Sequence, residues 1–265
     1  MNQDQVKAKL LAIEESPLEF FLIFTGKKSK KVNGLYKPDT YEILIHNNNF
    51  SGENRSEQDN LLLYTAIHEY AHHIHACSRG GKLSSRSHTA EFWAIFHGLL
   101  EKAEAQGIYQ NVFSGSPELT KLTENIREEF LKKNGALIKE LGKLLLRAKE
   151  LCDAAGGRWE DYIDRVLRLP RQAANLAVRM HQYNLNPQTG ADNMRFLATI
   201  SNEEKRNTAE AALLSGKSPD TVKNAMRTET NEEPRTRLEK EKLRLERTIA
   251  SLMRRLEEVE KELLN

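Results

Sequence analysis

The sequence predicts an α+β N-terminal domain, with a small antiparallel sheet and helices, followed by an all-α region and a C-terminal coiled-coil helix. Short apolar runs bounded by turn formers occur before residue 50, and helical apolar spacing dominates from about residue 56 to 226. After Pro234 the apolar residues alternate by three and four positions. We therefore divide the chain into domains 1–116, 117–230 and 231–265, and Gly115-Ser116-Pro117 marks the first boundary.

The predicted sheet lies before residue 50. A helical pattern opens the chain and gives way to the apolar run 20–24, which is short enough for a strand. Asn33-Gly34 and Pro38-Asp39 are turn formers, and the β-branched run 41–46 after them predicts another strand. We expect these strands to pair as an antiparallel sheet.

Two helices are predicted after the sheet. Ser56 with Asp59 three residues later resembles a capping arrangement, which would open a helix that ends near Ala76. A loop rich in Gly and Ser (78–87) follows, and the next helix begins within a residue of His88.

Residues 68–72 have the sequence His-Glu-Tyr-Ala-His, the HExxH arrangement. Residues four apart share one face of a helix, so His68 and His72 present two imidazoles to one point, with Glu69 beside them. Zinc takes neutral imidazoles at about 2 Å and keeps one position for water, while the carboxylate accepts a proton as that water attacks a peptide carbonyl. The alternative is that both histidines are hydrogen-bonded polar groups in the core.

A catalytic zinc usually has a third protein ligand, and we predict His88 for this position. By helical geometry His73 points away from the pair and is expected at the surface, and His75 is expected to be structural. Donors to the oxyanion of the reaction are not fixed by the sequence, although Tyr70 and His97 are close to the motif. The other local candidates for the third ligand are His73, His75, His97, Glu91, Glu101 and Glu104.

The segment from His88 to Trp93 resembles the H-x-x-x-F-W element of SprT-like and related minimal zinc peptidases. In those families the histidine is the third zinc ligand and the aromatic pair packs under the site. The resemblance covers about residues 20–105 and implies a zincin-like domain with metallopeptidase activity, in which Glu69 is the general base. One departure is the run His72-His73-x-His75, which leaves open whether His75 replaces or assists His88.

The C-terminal half carries a second resemblance. Residues 138–185 resemble a helix-turn-helix domain of phages and plasmids, in which a tryptophan helix precedes a short turn and a second helix, and residues 196–219 are similar to ParB-like DNA-binding proteins. Both imply DNA contact, with the helix from residue 171 to about 183 in the major groove. The alternative is a helical bundle that binds only protein. The expected contacts are Arg171, Gln172, Asn175 and Arg179 from that helix, with Arg165, Arg168 and Lys149 near phosphates.

The last segment predicts a homodimer through residues 235–264. The alternative is one amphipathic helix packed on its own domain. Lys242 interrupts an otherwise apolar seam, whose members are Leu238, Leu245, Ile249, Leu252, Leu256, Val259 and Leu263.

The composition constrains the partners and the location of the protein only weakly. The net charge is +2, which permits a basic face but does not by itself imply nucleic acid. Cys77 and Cys152 are far apart and are expected to be reduced thiols, and neither an apolar span nor a signal sequence is evident, so we expect a cytoplasmic protein, nucleoid-associated if it binds DNA. Two hypotheses follow: a zinc endopeptidase that cleaves DNA-bound proteins or a repressor, or a non-catalytic zinc-containing DNA-binding or scaffold protein.

Overall fold

The computed structural model describes residues 1–81 and 87–228, and in the C-terminal segment residues 239, 242, 243, 245, 246, 248–250, 252–254 and 256. These residues are mostly helical, with one three-stranded sheet near the N-terminus, as an α+β layout requires. Residues 1–224 form one compact unit and residues 225–265 form another. The domain boundaries at residues 116 and 230 remain predictions.

The sheet is mixed, so the prediction of an antiparallel sheet was wrong in part. Its strands are β1 (Phe21–Phe24), β2 (Gly34–Lys37) and β3 (Glu42–Ile45), in the order β1-β3-β2. The predicted turn at Pro38-Asp39 is confirmed, and it makes β3 antiparallel to β2. β3 then lies between the other two strands and pairs with β1 in parallel.

The structure has a bend at Asn33, but Gly34 is the first residue of β2, so the predicted turn at Asn33-Gly34 was wrong in part. The sheet packs against two helices, α1 (Gln3–Ile13) and α2 (Arg55–Ser78). Asn54 caps α2 by accepting a hydrogen bond from the Glu57 amide, rather than Ser56 as predicted. Asp59 instead accepts a hydrogen bond from the N-terminal amine at 2.7 Å.

The helix α3 (Ala90–Ala105) begins where the sequence predicted, with Thr89 as its cap. It packs along α2 and completes the core of the N-terminal part. The largest buried side chains of this core come from both helices, from α1 and from the sheet: Leu10, Phe20, Ile43, Ile45, Ile67, Tyr70, Phe92 and Phe96.

The rest of the first unit is helical. A second core lies where α5 (Lys133–Ala154) crosses α7 (Arg171–Gln182). Gly142 permits this crossing, because a Cβ there would overlap the main chain of Ala177. The elements are α4 (Pro117–Asn125), a π-helical stretch (Ile126–Lys132), α5 (Lys133–Ala154), α6 (Trp159–Asp161) with a second π-helical stretch (Tyr162–Leu167), α7 (Arg171–Gln182), α8 (Ala191–Leu197), α9 (Glu203–Leu214) and α10 (Pro219–Thr228), with short 3-10 turns at Asn47–Phe50, Val112–Gly115 and Pro187–Thr189.

The described residues of the C-terminal segment are helical, and Leu245, Ile249, Leu252 and Leu256 are exposed. The other predicted seam positions, Leu238, Val259 and Leu263, lie outside the described residues, so the coiled coil and the homodimer stay predictions. Among the described helices, none combines the length and the apolar composition of a membrane span.

Candidate metal centre

The structure brings together the three histidines that the sequence predicted as ligands. His68 and His72 project from one face of α2, and His88 lies just before α3. One ring nitrogen from each histidine lies within 4.8 Å of the other two, and the Nε2 atoms of His68 and His88 are 3.1 Å apart. A tetrahedral zinc ion bound at about 2 Å separates its nitrogen ligands by about 3.3 Å. The three rings can therefore hold a metal ion.

Aromatic side chains of α3 support these rings. Phe92 stacks on His72 with 4.1 Å between ring centroids, and Trp93 stacks on His88 at 5.6 Å. Phe92 is fully buried, so the histidine rings pack against an apolar surface. This arrangement agrees with the packing that the H-x-x-x-F-W resemblance implies.

Burial keeps the imidazoles of His68 and His72 neutral. It lowers the pKa of His68 to about 4, with a smaller contribution from the nearby His88. It lowers the pKa of His72 to about 3, and the neighbouring histidines add to this effect. Neutral imidazoles offer lone pairs to a cation, so the protonation state fits a metal site.

Glu69 is buried beside the triad, with 7% of its surface exposed, and it lines the same cleft. Desolvation raises the pKa of its carboxyl group to about 7, although a hydrogen bond from the Tyr36 amide acts in the opposite direction. A carboxylate with a pKa near neutrality is suited to accept and return a proton. The cleft is lined by residues of β2 and its preceding turn, of α2 and of the segment before α3: Val32, Asn33, Gly34, Leu35, Tyr36, Tyr64, Thr65, His68, Glu69, His72, Ser87 and His88.

No protein-family model matches the chain, and searches of curated proteins and of solved structures give no match either. The interpretation of this cleft therefore depends on its own residues.

Two histidines outside the triad have structural environments. His73 was predicted at the surface, but it is fully buried because α1 and the residues that follow it cover the far side of α2. Its Nε2 lies 2.8 Å from Ser16 Oγ and its Nδ1 lies 3.1 Å from Tyr36 Oη. His75 is also buried and lies outside the triad; its Nε2 is 3.5 Å from Glu91 Oε2, but neither ring nitrogen has a hydrogen-bond partner among the described residues.

Neither Tyr70 nor His97 is among the described residues that line the cleft. The Tyr70 hydroxyl is directed to the opposite side of α2, where it donates to the Glu14 carbonyl at 2.7 Å. His97 Nδ1 lies 2.8 Å from Ser218 Oγ. Tyr64 was not predicted as a site residue, but it lines the cleft one helical turn before His68. The four-residue spacing of Tyr64 and His68 was the available signal.

The predicted DNA-contact residues lie on the surface of the helical region. The π-helical stretch that ends at Leu167 is joined to α7 by the three residues 168–170. Arg165 pairs with Asp161 and Arg171 pairs with Asp164, so carboxylates hold both guanidinium groups. The Asn175 side chain accepts a hydrogen bond from Trp159 Nε1 at 3.4 Å. The remaining predicted contacts are exposed: Lys149, Arg168, Gln172 and Arg179.

Proposed function

We propose that this chain is a zinc-dependent endopeptidase, with His68, His72 and His88 as the zinc ligands and Glu69 as the general base. The observation that supports this best is the convergence of three ring nitrogens beside a buried carboxylate in one cleft. Three nitrogen ligands with a position left for water suit a catalytic zinc better than a hard cation, which takes oxygen ligands.

The residues divide the work of peptide hydrolysis. A bound zinc ion supplies Lewis-acid polarisation of the scissile carbonyl. Glu69 accepts the proton of the attacking water and returns it to the leaving amine. The Tyr36 amide orients the Glu69 carboxylate, and Phe92 with Trp93 keeps water from the back of the histidine rings.

The edge of the sheet suggests how a substrate is held. β3 is the central strand of the sheet, and β2 is the edge strand next to the site. The His46 amide donates to the Asn33 carbonyl, so by the alternation of an antiparallel pair the main-chain groups of Gly34 face away from β3. An extended polypeptide can pair with such an edge, and we infer that substrates are unfolded or loop segments.

The walls of the cleft favour apolar substrate side chains. Leu35 and Val32 on one side are about half exposed, at 49% and 48%, and Tyr64 on the other side is 41% exposed. Large apolar groups that meet solvent at the mouth of a cleft are typical of a ligand-contact surface.

A role on DNA is the second part of the proposal. Two helical stretches joined by three residues before α7, together with the exposed cations of the helical region, support contact with a duplex, which would direct cleavage to DNA-bound proteins or a repressor. The same arrangement supports the alternative, a non-catalytic DNA-binding or scaffold protein in which zinc only braces the fold.

The test compares the wild-type chain with Glu69→Gln. Both proteins are loaded with zinc, analysed for metal content and incubated with casein, an unfolded protein substrate. We expect about one zinc per chain in both, and cleavage by the wild type alone. Cleavage that persists in Glu69→Gln would overturn the assigned mechanism, and zinc binding without cleavage in the wild type would favour the scaffold alternative.

A further inference from the structure

Gly34 lies against Glu69 at the point where β2 meets α2. A Cβ built on Gly34 would lie 2.8 Å from Glu69 Cγ and 3.0 Å from Glu69 Oε1. It would also lie 3.0 Å from Thr65 Cγ2. Carbon atoms in contact prefer about 3.5–4.0 Å, so any side chain at position 34 would displace a neighbour.

The backbone at this position does not itself require glycine. The φ angle of Gly34 is not positive, and Gly34 pairs in regular register with Ile45. Inside a strand, glycine is less stable than alanine because it loses more conformational freedom on folding. The advantage of glycine here is therefore the space beside Glu69 rather than conformational freedom.

The two neighbours differ in how easily they move. Thr65 is β-branched, and its hydroxyl donates to the Leu61 carbonyl at 3.1 Å, so its side chain is fixed on the helix. Glu69 has three rotatable bonds. A methyl group at position 34 would therefore move Glu69 first.

We propose that Gly34 is a positioning residue, whose missing side chain lets β2 approach α2 closely enough for the Glu69 carboxylate to lie beside the histidine triad. This inference deepens the endopeptidase proposal and depends on it. It assigns to Gly34 a role that acts through Glu69 and leaves the metal ligands untouched.

The test uses Gly34→Ala with Gly98→Ala as its matched control, because a Cβ at Gly98 meets nothing within 4 Å. For zinc-loaded proteins we measure metal content, thermal midpoint, kcat and KM on a fluorogenic peptide, and the Kd of acetohydroxamic acid. This probe chelates zinc and donates a hydrogen bond to an adjacent carboxylate. Gly34→Ala should keep one zinc and its thermal midpoint, lose about tenfold or more in kcat with KM nearly unchanged, and bind the probe more weakly. Gly98→Ala should match the wild type in metal content, kcat, KM and probe affinity, while its thermal midpoint should rise because alanine favours a helix more than glycine does.

Two further variants separate positioning from a general defect. In a Glu69→Gln background, Gly34→Ala should not weaken hydroxamate binding further, because both changes act through one carboxylate. Thr65→Ser removes Thr65 Cγ2, the other atom that lies close to a Cβ at position 34. It should therefore restore part of the kcat lost in Gly34→Ala, because the new methyl group can then move away from Glu69.

Several results would overturn the inference: wild-type kcat and probe affinity in Gly34→Ala, loss of zinc, failure to fold, or equal weakening of the probe in the wild-type and Glu69→Gln backgrounds. A zinc-binding wild type that cleaves nothing would defeat the endopeptidase proposal instead. In that case the hydroxamate measurements would still report whether Gly34 sets the position of Glu69.

Discussion

The Nε2 atoms of His68 and His88 lie 3.1 Å apart, although 20 positions separate the two residues in the chain. The pKa of His68 is about 4, because burial disfavours the imidazolium, so at neutral pH this ring is uncharged and its lone pair is available. A cation bound between these rings would link α2 to the segment that leads into α3. A metal ion held by the three histidines would therefore join two helices.

His88→Ala should weaken zinc binding more than the roughly 10–100-fold that follows loss of an outer-shell partner, because it removes one of the metal's own ligands. Competition with a chromophoric chelator measures the affinity. His97→Ala is the matched control, since His97 bonds to Ser218 outside the triad. Equal zinc affinity in the two variants would show that His88 is not a ligand.

Buried His75 should make the metal-free chain less stable in acid. Burial lowers the pKa of His75, and Glu91 only partly opposes this, so the unfolded chain takes up the proton first as the pH falls below about 6.5. The stability that depends on neutral His75 is thus present above that pH and is lost below it. In urea titrations at pH 7.5 and 5.5, His75→Phe should lose less free energy of unfolding between the two pH values than the wild type does. An unchanged loss would contradict this.

Leu35→Lys should impair peptides with large apolar side chains next to the cleaved bond. Leu35 is half exposed, so the change should leave folding intact while it removes an apolar contact and adds a charge to the cleft. We expect KM for such peptides to rise by about 10-fold or more, with a smaller effect on polar peptides. Leu151→Lys, an equally exposed leucine of α5, is the control. An equal effect on both peptide classes would exclude Leu35 as a specificity residue.

If α7 contacts DNA, the ion pair between Arg171 and Asp164 competes with a phosphate or base for the guanidinium. Asp164→Asn should then strengthen binding of a labelled duplex, and Arg179→Ala should weaken it, as followed by fluorescence anisotropy at low and moderate salt. Glu140→Gln on α5 is the control for Asp164→Asn, because it also removes one negative charge but frees no predicted DNA contact. It should change the affinity for the duplex less than Asp164→Asn does. No response to either substitution would favour the protein-binding alternative.

The helical part of the site was predictable because its signals are local. The four-residue spacing of His68 and His72 and the cap at Thr89 fix which side chains share a face and where α3 begins. The residues before β1 cover the far side of α2. These contacts join segments that are far apart in the sequence, so local patterns do not reveal them. The sequence therefore misplaced His73, whose burial comes from Ser16 and its neighbours.

The sheet shows the same limit. The turn at Pro38-Asp39 was predictable from residue type, whereas the parallel pairing of β1 with β3 is set by packing between distant segments. Gly34 illustrates this most clearly. Its type suggested a turn, but the space beside Glu69 explains the glycine, and that contact joins residues 35 positions apart.

A crystal structure of the zinc-loaded chain, with anomalous data collected at the zinc absorption edge, tests the central claim most directly. We predict one strong peak among the ring nitrogens of His68, His72 and His88, about 2 Å from each, with a water in the fourth position toward Glu69. A peak elsewhere in the chain, or a fourth protein ligand that closes the coordination shell, would contradict the account.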